Sequence, residues 1–194
     1  MRLALPLSLS TLTLGTALLI APATSDVVSY NVDPVHSNVL FKIKHNGVSW
    51  FYARFGELSG HFSYDEGKPA DSECLMVVKT ASVDTRNDKL NGHLKSPDFF
   101  DATQFPEITF ESTKVKKGKG DTLQVTGDLS LHGVTKSITV ELEKVGSGDM
   151  RGKKMIGFHA RFTIDRTDFG MNYGVGGPLG SEVELTISVE AAAG

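Results

Sequence analysis

The sequence predicts an all-β chain, an eight-stranded antiparallel up-and-down barrel with one short helical insertion around residues 85–100. Apolar residues recur at every second position in seven runs, and an eighth run, Glu73–Thr80, is less regular. That is the period of a strand with one oily and one wet face. Most runs are joined by short, turn-like segments, which suits a meander of antiparallel strands. The number of runs is even, so the first and last can also pair antiparallel and close the sheet.

In chain order, Val39, Phe41 and Ile43 share one face of the first run, with Lys42 and Lys44 opposite. Leu58, Gly60, Phe62 and Tyr64 alternate with Glu57, Ser59, His61 and Ser63, and Glu73–Thr80 follows. Ile108 and Phe110 face away from Glu107, Thr109 and Glu111, and Leu123, Val125 and Leu129 from Gln124, Thr126 and Asp128. Ile138, Val140 and Leu142 continue the pattern. So do Ile156, Phe158, Ala160, Phe162 and Ile164, and finally Val183, Leu185, Ile187 and Val189.

Short connections fall at Asp65–Asp71, Lys117–Asp121, Leu131–Val134 and Gly146–Gly152. Three are longer. Asn46–Arg54 carries Trp50, Phe51 and Tyr52. Thr85–Pro106 holds a helical signal, with Asp84 or Thr85 able to cap it and Leu90 and Leu94 four apart. Asp165–Gly180 contains five of the twenty glycines and Pro178, and is an irregular loop. Alternate connections of a meander lie at the same end. Asn46–Arg54, Thr85–Pro106, Leu131–Val134 and Asp165–Gly180 therefore share one pole, and the other turns share the opposite one. Trp50, Phe51, Tyr52, Phe99, Phe100, Phe105 and Phe169 all belong to the long connectors. They either plug the barrel as core or line the mouth of a pocket; small barrels do both.

The N-terminus reads as a secretory signal over residues 1–23: Arg2, an uncharged run from Leu3 to Ile20, then Ala21-Pro22-Ala23 as a small-x-small cleavage site. A retained membrane anchor is the rival reading. Removing that segment takes away one positive charge and moves the formal net charge from −3 to −4. Residues 24–194 are one domain's worth, destined for a periplasmic or secreted location. Cys74 is the single cysteine, so no internal disulfide can form.

Chemistry finds little purchase. The histidines at 36, 45, 61, 93, 132 and 159 lack metal-site spacing, and no metal is expected. His36, after Asp33-Pro34, reads as a hydrogen-bonding residue at a strand entrance, and His93 as a group fixing the helix. No nucleophile elbow is present, and Gly174-Val175-Gly176-Gly177 precedes a strand, unlike a phosphate-binding loop. No catalytic residue and no cofactor is expected. An acidic, exported chain is a poor partner for nucleic acid. Lys114, Lys116, Lys117 and Lys119, with Arg151, Lys153 and Lys154, form basic tips at one pole. They are charged turns that keep strand ends soluble, or they make transient contact with an anionic membrane surface.

Six blocks in order resemble the YceI-like family of lipid- and polyisoprenoid-binding proteins. They begin with Tyr30-Asn31-Val32-Asp33-Pro34-Val35-His36-Ser37, continue through Phe41 to His45 with Gly47-Val48-Ser49, and include Arg54-Phe55 with Leu58-Ser59-Gly60. His93-Leu94-Lys95-Ser96-Pro97-Asp98-Phe99-Phe100-Asp101 follows, ending in Phe105-Pro106-Glu107-Ile108-Thr109-Phe110. Gly127-Asp128-Leu129 with Leu131-His132-Gly133-Val134-Thr135 comes next, then Gly157-Phe158 and Asp165-Arg166-Thr167-Asp168-Phe169-Gly170. Leu90 and Asn91 stand where the family often has an Arg-Asp pair.

The resemblance implies a lipocalin-like barrel with a long apolar tunnel, non-catalytic and usually periplasmic. Its implied ligand is a polyisoprenoid, such as a quinone or polyprenyl phosphate, or a fatty acid or amide. Strands of eight to ten residues reach roughly 30 Å at ~3.3 Å per residue. Burying apolar carbon contributes about 0.8 kcal/mol per CH₂. On this reading Phe41, Ile43, Phe62, Phe110, Phe158 and Phe162 line the tunnel. Trp50, Phe51, Phe99 and Phe100 stand at its mouth, with Leu94 and Phe169 completing the ligand-binding set. A homodimer is compatible with it. An enzyme modifying an isoprenoid lipid is the alternative, and a small outer-membrane barrel is another. The latter needs two aromatic girdles, which four Tyr and one Trp do not furnish.

Overall fold

The computed structural model describes residues 27–194; the expected signal segment lies outside them. The described chain makes one antiparallel sheet from β1 (Val28–Val32), β2 (Asn38–His45), β3 (Ser49–Phe55), β4 (Leu58–Tyr64), β5 (Glu73–Lys79), β6 (Val83–Asp84) and β7 (Glu107–Lys117). β8 (Thr122–Leu131), β9 (Val134–Met150), β10 (Lys153–Asp165) and β11 (Leu179–Ala193) complete it. Eleven segments reduce to eight staves because three staves are broken. β1 and β2 both pair with β11, the first near its end and the second along its body, so they form one interrupted stave. β4 and β3 continue one another across from it, and β5 and β6 do so in the next position. Pairing of β11 with that first stave closes the barrel, as the even strand count requires.

The break in the first stave has a local cause. After Val32, Pro34 supplies no backbone donor. The Asp33 carboxylate accepts from the backbone of Val35 (2.8 Å) and His36 (3.3 Å), turning the chain outward. The ladder then resumes through a side chain, as the Ser37 hydroxyl accepts from the Glu190 N–H at 3.0 Å. His36 Nδ1 lies 2.8 Å from Asp33 Oδ2, the strand-entrance role expected for it.

The structure departs from the sequence reading at Asn46–Arg54. Only a tight turn is found there, and Ser49–Phe55 is a strand paired with β2 from Ser49↔His45 to Phe55↔Val39. Asn46 (φ 53°) and Gly47 (φ 70°) adopt the left-handed backbone that a tight hairpin demands. The sequence masks this strand because Trp50 and Tyr52 on the outer face are as apolar as Phe51 on the inner one, which hides the period.

The remaining long connectors cap one pole. Helix α1 (Asp88–Leu94) is capped by Asn87, whose side chain accepts from the Leu90 N–H at 3.0 Å, rather than by Asp84 or Thr85. Asn91, at the position of the family's departure, accepts from the Thr85 N–H (2.8 Å) and hydroxyl (2.7 Å), tying the helix to the chain entering it. Across the same pole, Arg166 is 3 % exposed. Its guanidinium donates to the carbonyls of Gly180 (2.9 Å), Met171 (2.9 Å) and Tyr173 (2.8 Å), gathering the loop 166–178. Burial pushes the pKa of this guanidinium down, and the three carbonyls are its compensation. His132, in the turn between β8 and β9, reaches the Phe169 carbonyl at 3.0 Å and joins the loop to the barrel.

Candidate functional site

Inside the staves lies a cavity of about 170 Å³. Its wall is almost wholly side-chain hydrocarbon: Val39, Phe55, Leu58 and Phe62 from the first two staves, Met76 and Val78 from β5, and Ile108, Phe110 and Val115 from β7. Leu123, Val125, Leu129, Ile138, Val140, Leu142, Phe158, Ala160, Phe162, Leu185, Ile187 and Val189 complete the ring. Phe110, Ile138, Leu142, Phe162, Leu185 and Ile187 belong to the inward set and yet are only half-buried, because the space they face is empty. An apolar cavity of roughly 150 Å³ in another protein stays dry and accepts benzene. This one is of that order and has the same chemistry.

Gly127 shapes the cavity. It is an inward position of β8, and the Phe110 ring lies across it: a Cβ there would sit 2.5 Å from Phe110 Cζ and 2.5 Å from the Glu111 carbonyl oxygen. Gly127→Ala is expected to displace the ring and lower stability by about 1–3 kcal/mol, read as a fall in Tm of a few degrees. An unchanged Tm would show that the Phe110 ring and the β7 backbone at Glu111 both give way at no cost.

Of the residues named from sequence, Phe62, Phe110, Phe158 and Phe162 line this cavity. Phe41, Ile43, Phe51, Leu94, Phe99 and Phe100 do not; they belong to the core at or below the capped pole. The Phe100 ring packs edge-on against Phe55 (5.3 Å) and Phe41 (6.1 Å), and Phe99 lies against His93 (4.9 Å) and Tyr173 (5.1 Å). Phe169 is buried in a separate cluster with Leu129, Leu131 and Met171. The aromatics of the long connectors are thus a stopper. Trp50 is on the outside of the barrel, 53 % exposed, with the Lys42 ammonium 4.8 Å from its ring.

The polar lining gathers at the other pole, where Ser63, Tyr64, Ser72, Glu73 and Cys74 contribute. There the β5–β7 ladder stops at Leu75↔Glu111, and the Cys74 N–H turns to the Ser112 hydroxyl at 2.8 Å. Burial pushes the Cys74 thiol up, away from the thiolate a nucleophile needs. Sequence reasoning did not single out Tyr64, Met76, Leu142 or Val189 as cavity residues. Three of them stand in runs that alternate, so the inward face, followed to its ends, contains them.

Among the described residues, Asp33, His36 and Glu190 bring ligand atoms within 4.8 Å of one another. The Asp33 carboxylate is already engaged by Val35, His36 and the His36 imidazole, which accounts for the cluster as a turn.

The family model described as YceI-like domain matches residues 30–191. Protein YceI of Shigella flexneri is 41% identical over 177 residues, covering 90% of this chain and 92% of that protein. The crystal structure of Burkholderia cenocepacia BcnA superposes with a TM-score of 0.74 at 25% identity, over 82% of this chain and 98% of that one. A polyisoprenoid binding domain from Saccharophagus degradans superposes with a TM-score of 0.69 at 18% identity, over 86% and 99% of the two chains, a likeness of fold.

Proposed function

This chain belongs to the YceI-like family, and on that premise we propose that its barrel holds a long-chain apolar lipid and does not transform it. The ligand class is a polyisoprenoid, such as a quinone or polyprenyl phosphate, or a fatty acid or amide. The observation that carries the reading is the hollow: inward Phe, Leu, Ile and Val side chains surround space they do not fill. Such a wall offers a hydrocarbon tail burial at about 0.8 kcal/mol per CH₂, reduced by the cost of ordering the chain. A polar substrate would find nothing along most of its length to replace its water. The Saccharophagus domain, described as polyisoprenoid binding, supports the choice of tail.

The same reading makes the protein an exported one, periplasmic or secreted, released from its Leu3–Ile20 segment after Ala23. Its basic tips around Lys117–Lys119 and Arg151–Lys154 lie at the pole opposite the aromatic stopper. There they suit brief contact with an anionic membrane from which a lipid is collected.

Native mass spectrometry of protein purified from its own host tests the proposal. Extraction should release an isoprenoid or long acyl chain, at a stoichiometry that also reveals any homodimer. A protein that emerges empty and takes up neither a C20 isoprenoid nor a C16 acyl chain would refute it.

A further inference from the structure

Beneath the apolar cavity, inside the base of the barrel, lies a second hollow of about 320 Å³ with a different character. Tyr30, Tyr64, Lys144 and Lys154 line it, with Glu66 beside them. Tyr64 also lines the apolar cavity, and its ring packs edge-on to Phe158 at 5.6 Å, so one side chain divides the two spaces.

Lys144 is the unexpected member. It continues the inward face of β9 after Ile138, Val140 and Leu142, where an oily residue belongs. Its side chain is 15% exposed, with its ammonium 2.7 Å from Glu66 Oε1 and 5.8 Å from the Tyr64 ring centroid. A cation on the inner face of a barrel is costly unless an anion meets it. Here that anion is the side chain of Glu66, which is 75% exposed and carried by the turn 65–72, so it can give way without disturbing a stave. Tyr30 is 6% exposed and stacks on Phe62 at 5.3 Å, so its ring is held rigidly in the wall of the hollow. Lys154 stands opposite Asp149 in the β9–β10 register, and Asp121 adds a weak negative influence on the Lys144 ammonium behind that of Glu66.

We propose that this hollow receives the oxyanion headgroup of the lipid, the phosphate of a prenyl phosphate or the carboxylate of a fatty acid. Lys144, Lys154 and the Tyr30 hydroxyl bind the headgroup while the tail passes Tyr64 into the apolar cavity. The assignment rests on the lipid-binding reading above. The incoming anion takes the place of Glu66 on Lys144, so ligand charge and lysine burial compensate one another. A neutral headgroup leaves the Lys144–Glu66 pair intact and gains nothing from it.

The test is a binding titration of the full mature protein with geranylgeranyl phosphate and with geranylgeraniol, which share a tail and differ in charge. Palmitate and hexadecanol as a second pair separate the two sources of oxyanion. The native protein should prefer the charged member of a pair by roughly tenfold or more. Lys144→Met should erase the preference while leaving the alcohol's affinity within about twofold. Glu66→Gln, a surface change that leaves the barrel intact, should tighten the charged ligand alone. Equal binding of phosphate and alcohol, or a preference untouched by both variants, would overturn the headgroup assignment and leave the lipid reading standing. If neither member of either pair binds the native protein, the lipid reading itself fails.

Discussion

Replacing Phe158 with Asp should abolish hydrocarbon uptake, and replacing Phe110 with Asp should do the same at a smaller cost to the fold. Phe158 is buried, and its ring meets those of Phe62 and Tyr64 edge-on, each at 5.6 Å. A carboxylate there would be surrounded by carbon unless water follows it into the cavity, since burying it dry costs several kcal/mol. Either outcome removes the driving force, because a tail would have to expel bound water or strip an ion. Loss of only a few buried methylenes' worth of free energy, at about 0.8 kcal/mol each, already weakens binding a hundredfold. Phe110 is half-buried and faces the hollow more openly, so Phe110→Asp separates failure to bind from failure to fold. Circular dichroism of both variants should retain the β signature, and lipid extracted from them should fall to background. Undiminished lipid in both would show that the ligand lies elsewhere.

Arg166→Met should be the most destabilising change at the stoppered pole. The guanidinium alone satisfies three carbonyls drawn from the loop 166–178 and the start of β11. Methionine keeps the bulk and leaves those acceptors bare, at about 3–5 kcal/mol in total. Tm should fall by roughly 10 °C. Arg166→Lys should recover little of it, because an ammonium cannot reproduce a planar fork aimed at three separate oxygens. A melt within about 2 °C of the parent protein would mean that the loop holds itself.

The barrel was legible because its signal is periodic and local. Ile156 to Ile164 and Val183 to Val189 alternate without interruption, and both became long staves paired in unbroken register from Asp165↔Glu182 to Met155↔Ala192. The poles followed from counting directions along the chain, which needs no coordinates. What the sequence concealed was three-dimensional. Ser49–Phe55 hid its alternation behind aromatics on both faces, and that error put Trp50 at a mouth when it belongs to the outer wall. The aromatics at 99, 100 and 169 share one pole, as the count of strand directions expects. Their packing is what the sequence leaves open: Phe100 lies against Phe41 and Phe55, whereas Phe169 joins the separate cluster of Leu129, Leu131 and Met171. Lys144 was missed for a simpler reason: a lysine at the end of an oily run looks like a strand terminus meeting water. Its inward position becomes visible only once Glu66 and Tyr64 are placed beside it.

An interior left partly vacant also makes occupancy and foldedness a single equilibrium. A guest that enters only the native barrel stabilises it by RT ln(1 + [L]/Kd), about 1.4 kcal/mol for each further tenfold excess. The guest thereby performs the service that core side chains perform in a protein packed solid. Emptied barrels should be the first to be lost to proteolysis, and the standing amount of this protein in a cell becomes a gauge of how much lipid is on offer.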